Sequence, residues 1–357
     1  MTSTSPWTSS RTDTTVNDEL EMLTALGLNK FVDPSHLVEK VIDRRNNPLK
    51  GIEAPWSKLH NLFEIPRQGV TLVGGYSGHQ KSTMANQWAL HAAASGHKVC
   101  LASLELTTDY LFDFLAGQSA CKTEMHEGYL HRFGRWLDGR MYIVDHADVM
   151  SPEEAIQLII DSKRLMGCDL FVLDCLMQID LGGELENEKR FMAKLGAVAR
   201  EYDMAIVVVH HMRKPQGPEG ERKVPGRESF IGSSHLVNAA AGVLILWQNA
   251  EKAAARHNGE EVDDDNPCFV LSVAKNRFAP FQGTVGLYQH NEARLLCNSR
   301  ARQYKPIDME DVCRSDENST GASASEVSAD TFPMKRTPET TNGIEPTTTR
   351  TSMASPF

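Results

Sequence analysis

The sequence predicts an α/β fold with a mainly parallel central sheet flanked by helices. From residue 69 onward, short runs rich in Val, Ile and Leu alternate with stretches of helical periodicity. Continuous apolar strands separated by helices are typical of a parallel sheet that is covered on both faces. The predicted strands are GVTLVGG, KVCLASLE, MYIVD, LFVLDCLMQI, AIVVVHH, GVLILWQ and FVLSVAKN.

One of the intervening helices is marked at both ends. Ser151 is a favourable N-cap, Pro152 suits the first helical position, and Glu154 completes a capping box. Gly167 is a typical helix end. Capping explains these residues fully, so no functional role is assigned to them.

The remaining segments divide the chain into four parts. Residues 1–16 are rich in Ser and Thr, which predicts a disordered arm. Residues 17–50 contain apolar side chains at helical spacing in 17–28 and 36–45, which predicts a short helical linker. Residues 51–305 form the predicted α/β domain. Residues 306–357 are acidic, rich in Ser and Thr and without periodicity, so a disordered tail is expected.

Composition excludes several classes of protein. The formal charge is −10, from 37 Lys and Arg against 47 Asp and Glu, so any contact with nucleic acid requires a local basic patch. No run approaches the roughly 18 apolar residues of a membrane span, and the N-terminus lacks an apolar signal segment. The seven cysteines include no Cys-x-x-Cys pair, which argues against a disulfide scaffold or a zinc ribbon. A cytoplasmic protein with reduced thiols is expected.

A phosphate-binding loop follows the first predicted strand and precedes a predicted helix, 84–94. In the motif G-x-x-x-x-G-K-[ST], backbone N–H groups surround the phosphates, the lysine neutralises them, and the hydroxyl binds Mg²⁺. Here Lys81 and Ser82 fill the last two positions, whereas Gln80 replaces the glycine before the lysine. The predicted nucleotide-binding residues are Gly75, Ser77, Gly78, His79, Gln80, Lys81, Ser82 and Thr83.

Two carboxylates lie at the ends of predicted strands. Glu105 ends the second strand and Asp174 ends LFVLD. Ligands of open α/β sheets bind at the carboxyl ends of the strands. Glu105 is therefore a candidate to deprotonate an attacking water, and Asp174 is a candidate to hold Mg²⁺ with Ser82.

Five ordered motifs resemble the RecA-like motor of DnaB-type replicative helicases, especially the bacteriophage and mitochondrial members. They are GVTLVGGYSGHQKS, KVCLASLEL, LFVLDCLMQI, VVVHHMRK and VAKNRF, and the resemblance covers about residues 50–300. It implies a RecA-like P-loop NTPase, a hexameric superfamily 4 motor without a primase half. Residues 51–305 are then the helicase ATPase domain.

The resemblance implies a role for each matching residue. Glu105 falls on the catalytic base, and Asp174 falls on the residue that positions the metal. The sensor of the γ-phosphate falls on His211, with His210 as the alternative. The basic pair that reaches the nucleotide of a neighbouring subunit falls on Lys275 and Arg277. An arginine supplied in trans makes turnover depend on assembly.

A basic loop, 212–230, follows the sensor strand. The family binds single-stranded DNA through loops in this place, and cations there would contact phosphates with little sequence preference. The loop has no aromatic residue before Phe230, so base stacking is not indicated. The acids Glu219, Glu221 and Glu228 dilute its charge. The predicted DNA-binding residues are Arg213, Lys214, Arg222, Lys223 and Arg227.

Taken with the resemblance, these features predict a ring-forming, NTP-dependent replicative DNA helicase that translocates on single-stranded DNA and separates duplex. Its substrate is ATP or another NTP or dNTP, with Mg²⁺. The expected partners are single-stranded DNA, copies of the chain in a hexameric ring, and a separate primase and polymerase; no membrane partner is expected. For a phage-encoded chain the location is the host cytoplasm. The alternatives are a nucleotide-binding replication scaffold or loader weakened by Gln80, and a RecA- or RadA-like recombination ATPase.

Overall fold

The computed structural model describes residues 22, 34–146, 148–214, 223–232, 234–263 and 266–309. The predicted arm, nearly all of the first predicted linker helix, the middle of the basic loop and the tail beyond Met309 lie outside the described residues. Where the chain is described, no helix is both long and apolar enough to cross a bilayer.

A nine-stranded sheet forms the centre of the domain, and all seven predicted strands belong to it. A small antiparallel pair, β1 (Ile52–Glu53) and β2 (Glu64–Ile65), precedes it. The strands of the sheet are β3 (Gly69–Gly75), β4 (Val99–Ser103), β5 (Met141–Ile143), β6 (Leu170–Asp174), β7 (Ala205–His211), β8 (Gly242–Gln248), β9 (Phe269–Asn276), β10 (Gly283–Gln289) and β11 (Leu296–Cys297). Their order across the sheet is β11-β10-β9-β8-β3-β7-β6-β4-β5.

The sheet is parallel from β8 to β5 and antiparallel from β9 to β11. The sequence therefore predicts the mainly parallel sheet correctly, but β9 runs antiparallel to β8, and β10 and β11 were not predicted. The physical reason is burial: residues of β9 alternate between buried and half-buried, as in an antiparallel strand with one covered face. The parallel strands β4 and β6 are buried along their whole length.

Helices cover both faces of the sheet. The α-helices of the described residues are Val38–Asn46, Lys81–Ala94, Thr108–Ala120, Glu127–Leu137, Pro152–Met166, Leu185–Glu201, Ser234–Ala239 and Ala250–His257. Val38–Asn46 corresponds to the second predicted linker segment. The predicted phosphate-loop helix begins at Lys81, three residues earlier than its apolar pattern suggests.

Side chains that point alternately to the two faces of each strand divide the core into two layers. On one face, Val172 and Val207 pack with helices Lys81–Ala94, Thr108–Ala120 and Glu127–Leu137. On the other face, Phe171 and Ile206 pack with helices Pro152–Met166 and Leu185–Glu201. Successive side chains of a strand point to opposite faces, so the continuous apolar runs supply both layers.

Local signals in the sequence are present in the structure. The Ser151 hydroxyl accepts a hydrogen bond from the Glu154 N–H, and the Glu154 carboxylate accepts one from the Ser151 N–H. Gly167 ends the same helix with a φ of 76°, a left-handed conformation that favours glycine.

The antiparallel extension is fixed to the phosphate-loop helix by one side chain. The Gln87 amide accepts from the Leu296 N–H at 3.0 Å and donates to the Leu296 carbonyl at 3.0 Å. Ile307, in the predicted tail, donates its N–H to the Ser119 carbonyl, and Met309 is buried. The packed part of the chain therefore reaches Met309.

Candidate active site

The phosphate loop connects β3 to helix Lys81–Ala94 at the carboxyl edge of the sheet. Two of its glycines meet structural constraints: one has no room for a side chain, and the other has a left-handed backbone conformation. A Cβ at Gly75 would lie 2.5 Å from the Leu246 carbonyl oxygen, and Gly78 has a φ of +82°. Gly75 is therefore needed at its motif position, whereas Gly78 occupies a position that the motif leaves open.

Gln80 departs from the motif and has a left-handed backbone, with φ 60° and ψ 32°. Glycine adopts this conformation freely, whereas another L-residue there costs about 1 kcal/mol or more. Among the described residues, the buried Gln80 Oε1 has no hydrogen-bond partner. The preceding residue, His79, is buried, and its Nδ1 accepts the Gln248 N–H at 3.1 Å. This contact fixes the loop to the end of β8.

Lys81 is buried beneath the loop. Its Nζ donates to the Tyr76 carbonyl at 3.0 Å and lies 3.4 Å from Nδ1 of His211. Burial lowers the pKa of Lys81, while the nearby Asp174 acts in the opposite direction. The charged form of a lysine that has lost hydration in this way is stabilised by any anion placed beside it.

Ser82 and Asp174 bring two oxygen ligands together. Asp174 is buried, and burial raises the pKa of its carboxyl to about 6, an effect that the hydrogen bond from the Ser82 hydroxyl opposes. Hydroxyl and carboxylate oxygens are the ligands that Mg²⁺ prefers. The donor set therefore fits the metal that the sequence predicts.

Glu105 lies beside this pair and has two close neighbours. Its Oε1 accepts the thiol of Cys175 at 3.0 Å, and it is 3.5 Å from Nε2 of His211. Burial raises the pKa of the Cys175 thiol to about 12, and the bond to Glu105 acts in the same direction. Cys175 was not predicted as a site residue, because its contact with Glu105 requires β4 and β6 to be adjacent.

The two adjacent histidines lie on opposite faces of the sheet. His211 pairs with Gly75 across β3 and β7, and it contacts Lys81 and Glu105. His210 is buried on the other face, where its Nε2 lies 2.8 Å from the Ile231 carbonyl and its ring stacks on Phe230. Burial lowers the pKa of His210 to about 4. Only His211 is placed beside the phosphate loop.

Lys275 and Arg277 lie near the amino ends of the parallel strands, whereas the phosphate loop lies at their carboxyl ends. Lys275 pairs with Val243 near the start of β8, and the Arg277 N–H donates to the Ala241 carbonyl. The Lys275 ammonium donates to the Val237 and Asn238 carbonyls at 2.8 Å. Burial lowers the pKa of Lys275, and Arg277 and Arg227 add to the effect. The structure therefore groups these three cations away from Lys81.

The basic loop begins at the end of β7. Met212 forms an antiparallel bridge with Phe230, and the Arg213 N–H donates to the Ser229 carbonyl at 2.6 Å. Arg222 lies outside the described residues. The other predicted DNA-binding side chains, Arg213, Lys214, Lys223 and Arg227, are exposed.

A lysine-bearing phosphate loop between a strand and a helix, with acids at two further strand ends, defines a P-loop NTPase domain with a RecA-like fold. Residues 50–217 match the protein-family model described as "AAA domain". The chain also has the fold of DnaB-like helicase ATPase domains, as two solved structures show.

The first is described as "The Structure Of A DnaB-Like Replicative Helicase And Its Interactions With Primase". It has 17% identity and a TM-score of 0.60, over 80% of this chain and 72% of that chain. The second is described as an ATPase domain, and it has 16% identity and a TM-score of 0.61, over 76% of this chain and 100% of that chain. A comparison with curated protein sequences found no match.

Proposed function

We propose that the chain is the motor of a ring-forming DNA helicase that hydrolyses ATP or another NTP, translocates on single-stranded DNA and separates duplex. The observation that carries this proposal is the arrangement of Lys81, Ser82, Glu105, Asp174 and His211 at one edge of the sheet. The fold shared with DnaB-like ATPase domains supports the choice of a helicase.

In the proposed mechanism, the loop N–H groups and Lys81 bind the β- and γ-phosphates. Lys81 then exchanges its contact with the Tyr76 carbonyl for phosphate oxygens. Ser82 and Asp174 would hold Mg²⁺, which would supply positive charge to offset that of the phosphates. Glu105 accepts the proton of the attacking water, since its carboxylate is partly exposed beside Lys81 and His211.

His211 is proposed to link the nucleotide to DNA. Its imidazole contacts Lys81 and Glu105, and the next residue, Met212, begins the basic loop. A change at the γ-phosphate therefore has a short covalent route to Arg213 and Lys214. Their exposed side chains are proposed to contact DNA phosphates, which gives salt-dependent affinity.

Lys275 and Arg277 are proposed to act on the nucleotide of a neighbouring copy. Because they lie at the edge opposite the phosphate loop, one chain does not bring them to its own nucleotide. A closed ring that places this edge against the next phosphate loop completes each site, and a hexamer is the proposed assembly. A separate primase and polymerase are the proposed protein partners, and the cytoplasm is the proposed location.

The proposal is tested by steady-state ATP hydrolysis with and without single-stranded DNA, with Lys81→Ala as the blank. We expect a DNA-stimulated rate that the blank lacks, and strand separation on a forked duplex. A stimulated rate without strand separation would favour the RecA- or RadA-like alternative, which a strand-exchange assay would then detect.

A second candidate is a nucleotide-binding replication scaffold or loader. The left-handed backbone of Gln80 and its unpartnered side-chain oxygen favour it, because both perturb the loop where the phosphates bind. This candidate predicts bound nucleotide with no turnover above the Lys81→Ala blank, and turnover that appears in Gln80→Gly.

A further inference from the structure

A second set of metal-ligating atoms lies beside the oxygen pair of Ser82 and Asp174. Glu105, Cys175 and His211 come from the ends of β4, β6 and β7, and their ligand atoms all lie within 4.8 Å of one another. The Glu105 Oε1 is 3.0 Å from the Cys175 Sγ and 3.5 Å from Nε2 of His211. The three strands therefore bring a thiol, an imidazole and a carboxylate to one point.

These separations suit a tetrahedral zinc ion. With bonds of about 2.3 Å to sulfur and about 2.0–2.2 Å to nitrogen and oxygen, tetrahedral ligands lie roughly 3.3–3.6 Å apart. The two measured separations differ from these distances by about 0.6 Å or less, and the third, which is at most 4.8 Å, differs by about 1.5 Å or less. Three protein ligands leave a fourth position for water, and the 41% exposure of the Glu105 side chain opens the site to solvent.

The chemistry of the ligands separates this set from the magnesium pair. Ser82 and Asp174 offer only oxygen, whereas Cys175 and His211 offer sulfur and nitrogen, which select zinc over magnesium. The orientation of His211 is also suitable. Its Nδ1 faces Lys81 at 3.4 Å, so Nε2, beside Glu105, is the atom available to a metal.

We propose that Glu105, Cys175 and His211 bind one Zn²⁺ per chain in the nucleotide-free protein, and that this site inhibits the motor. As the Sγ–Zn bond forms, the thiol proton leaves to solvent, and His211 binds through an unprotonated Nε2 while Nδ1 carries the single proton of the neutral ring. The ion occupies the carboxylate and the imidazole that hydrolysis requires. Binding stands on the geometry alone, whereas inhibition rests on the proposed function.

Cobalt provides the direct test of binding, because thiolate ligation of Co²⁺ gives a strong charge-transfer band in the near ultraviolet. The untagged full chain, stripped of metal and free of nucleotide, is titrated with Co²⁺ and then with Zn²⁺. We expect one Co²⁺ per chain, a thiolate band, and loss of that band as Zn²⁺ replaces the cobalt.

Variants then assign the ligands. Cys175→Ser should lose the band and weaken Zn²⁺ binding by at least about 100-fold, since loss of even an outer-shell partner costs about 10–100-fold. His211→Gln should weaken Zn²⁺ binding too, which keeps the test decisive if Cys175→Ser does not fold. Cys121→Ser is the matched control, because Cys121 is also a buried thiol but donates its hydrogen bond to a carbonyl oxygen rather than to a carboxylate. Absence of a band in the wild type, or a band that Cys175→Ser retains, would overturn the proposal.

Inhibition has a separate readout. If the chain hydrolyses ATP, Zn²⁺ should inhibit the wild type and Cys121→Ser at concentrations at least about 100-fold below those needed for Cys175→Ser. Equal sensitivity of Cys175→Ser and the wild type would refute the inhibitory role. A protein that binds Co²⁺ through Cys175 but does not hydrolyse ATP would refute the proposed function and leave the metal site standing.

Discussion

Charged groups have different partners at the two ends of the parallel strands, which are the amino edge, where the strands begin, and the carboxyl edge, where they end. At the amino edge, Asp169 is 3.4 Å from both Arg67 and Lys163, and Arg67 also contacts Asp203 at 2.9 Å. At the carboxyl edge, burial raises the pKa of Asp174 and lowers that of Lys81. The first edge satisfies its charges within the chain, whereas the second holds charges that a phosphate and a metal would stabilise.

This difference indicates what each edge contributes. Paired charges at the amino edge stabilise the fold, whereas buried charges with shifted pKa values are typical of functional sites. Lys275 and Arg277 are exceptions to this pairing of charges at the amino edge, because their side chains donate hydrogen bonds to carbonyl oxygens. Their placement there is the basis for proposing that they serve a neighbouring chain.

The largest expected effect is on the proposed base. Glu105→Gln should reduce kcat by about 10²–10⁴-fold, because the amide cannot accept a proton from water. Nucleotide affinity should persist, since Lys81 and the loop are unchanged. Single-turnover hydrolysis and equilibrium binding of a fluorescent nucleotide measure the two quantities. Glu124→Gln, at an exposed position, is the control. A kcat within a few-fold of the wild type would remove Glu105 from the mechanism.

A smaller effect is expected at the proposed link between nucleotide and DNA. His211→Gln should abolish most of the stimulation of hydrolysis by single-stranded DNA and lower kcat by roughly 10²-fold, as loss of one polar contact to the transition state does. The ratio of rates with and without DNA measures the link. His131→Gln, on the surface of helix Glu127–Leu137, should behave as the wild type. Undiminished stimulation in His211→Gln would contradict the proposed route.

A substitution at the amino edge should change the stability of the fold rather than catalysis. The hydrogen bond from His97, with Lys163 and Arg67 nearby, holds the pKa of Asp169 well below its usual range. Asp169→Asn should therefore lower the free energy of unfolding by about 1–3 kcal/mol at pH 7. Urea unfolding monitored by circular dichroism measures this difference.

The sign of the pH dependence follows from that lowered pKa. The stabilisation is present above the unfolded pKa near 4 and is lost as the pH falls further, because the folded carboxylate must then take up a proton. The wild type and Asp169→Asn should converge in that acidic range. A difference that stayed constant on acidification would show that the ion pairs are not its source. Asp113→Asn, an exposed change, is the control.

The smallest expected effect is at Gln80. Gln80→Gly should raise the free energy of unfolding by about 0.5–1 kcal/mol, because glycine adopts the left-handed backbone without strain. Gln80→Ala keeps a Cβ in the same conformation and should gain nothing. If the motor account holds, kcat of Gln80→Gly stays within a few-fold of the wild type. Turnover that first appears in Gln80→Gly would favour the scaffold instead.

The sequence predicts most of the parallel sheet because those strands are short, largely apolar runs separated by helical patterns. It does not predict β10 and β11, since GTVGLYQ is weakly apolar and Leu296 and Cys297 form only two residues of strand. Their position depends on contacts distant in sequence, such as Gln87 with Leu296. Local patterns contain no signal for such contacts.

The candidate site likewise contains residues that sequence motifs identify and residues that they do not. Motifs locate Lys81 in the phosphate loop that follows β3, and they locate Glu105 and Asp174 because each lies near the carboxyl end of a strand. Pattern alone leaves His210 and His211 open, and the alternation of β7 then places only His211 beside Lys81. Cys175 was missed because a single cysteine after an acid resembles a core residue. Its contact with Glu105 requires β4 and β6 to be adjacent.

We propose that one chain carries two halves of different sites, and mixing two inactive variants tests this proposal most directly. Lys81→Ala removes the phosphate-binding half and Arg277→Ala removes the half at the opposite edge. Each protein alone should be inactive. A random one-to-one mixture should recover activity, because about a quarter of its interfaces pair an intact Lys81 with an intact Arg277. ATP hydrolysis by the mixture that stays at the level of the separate variants would contradict the account.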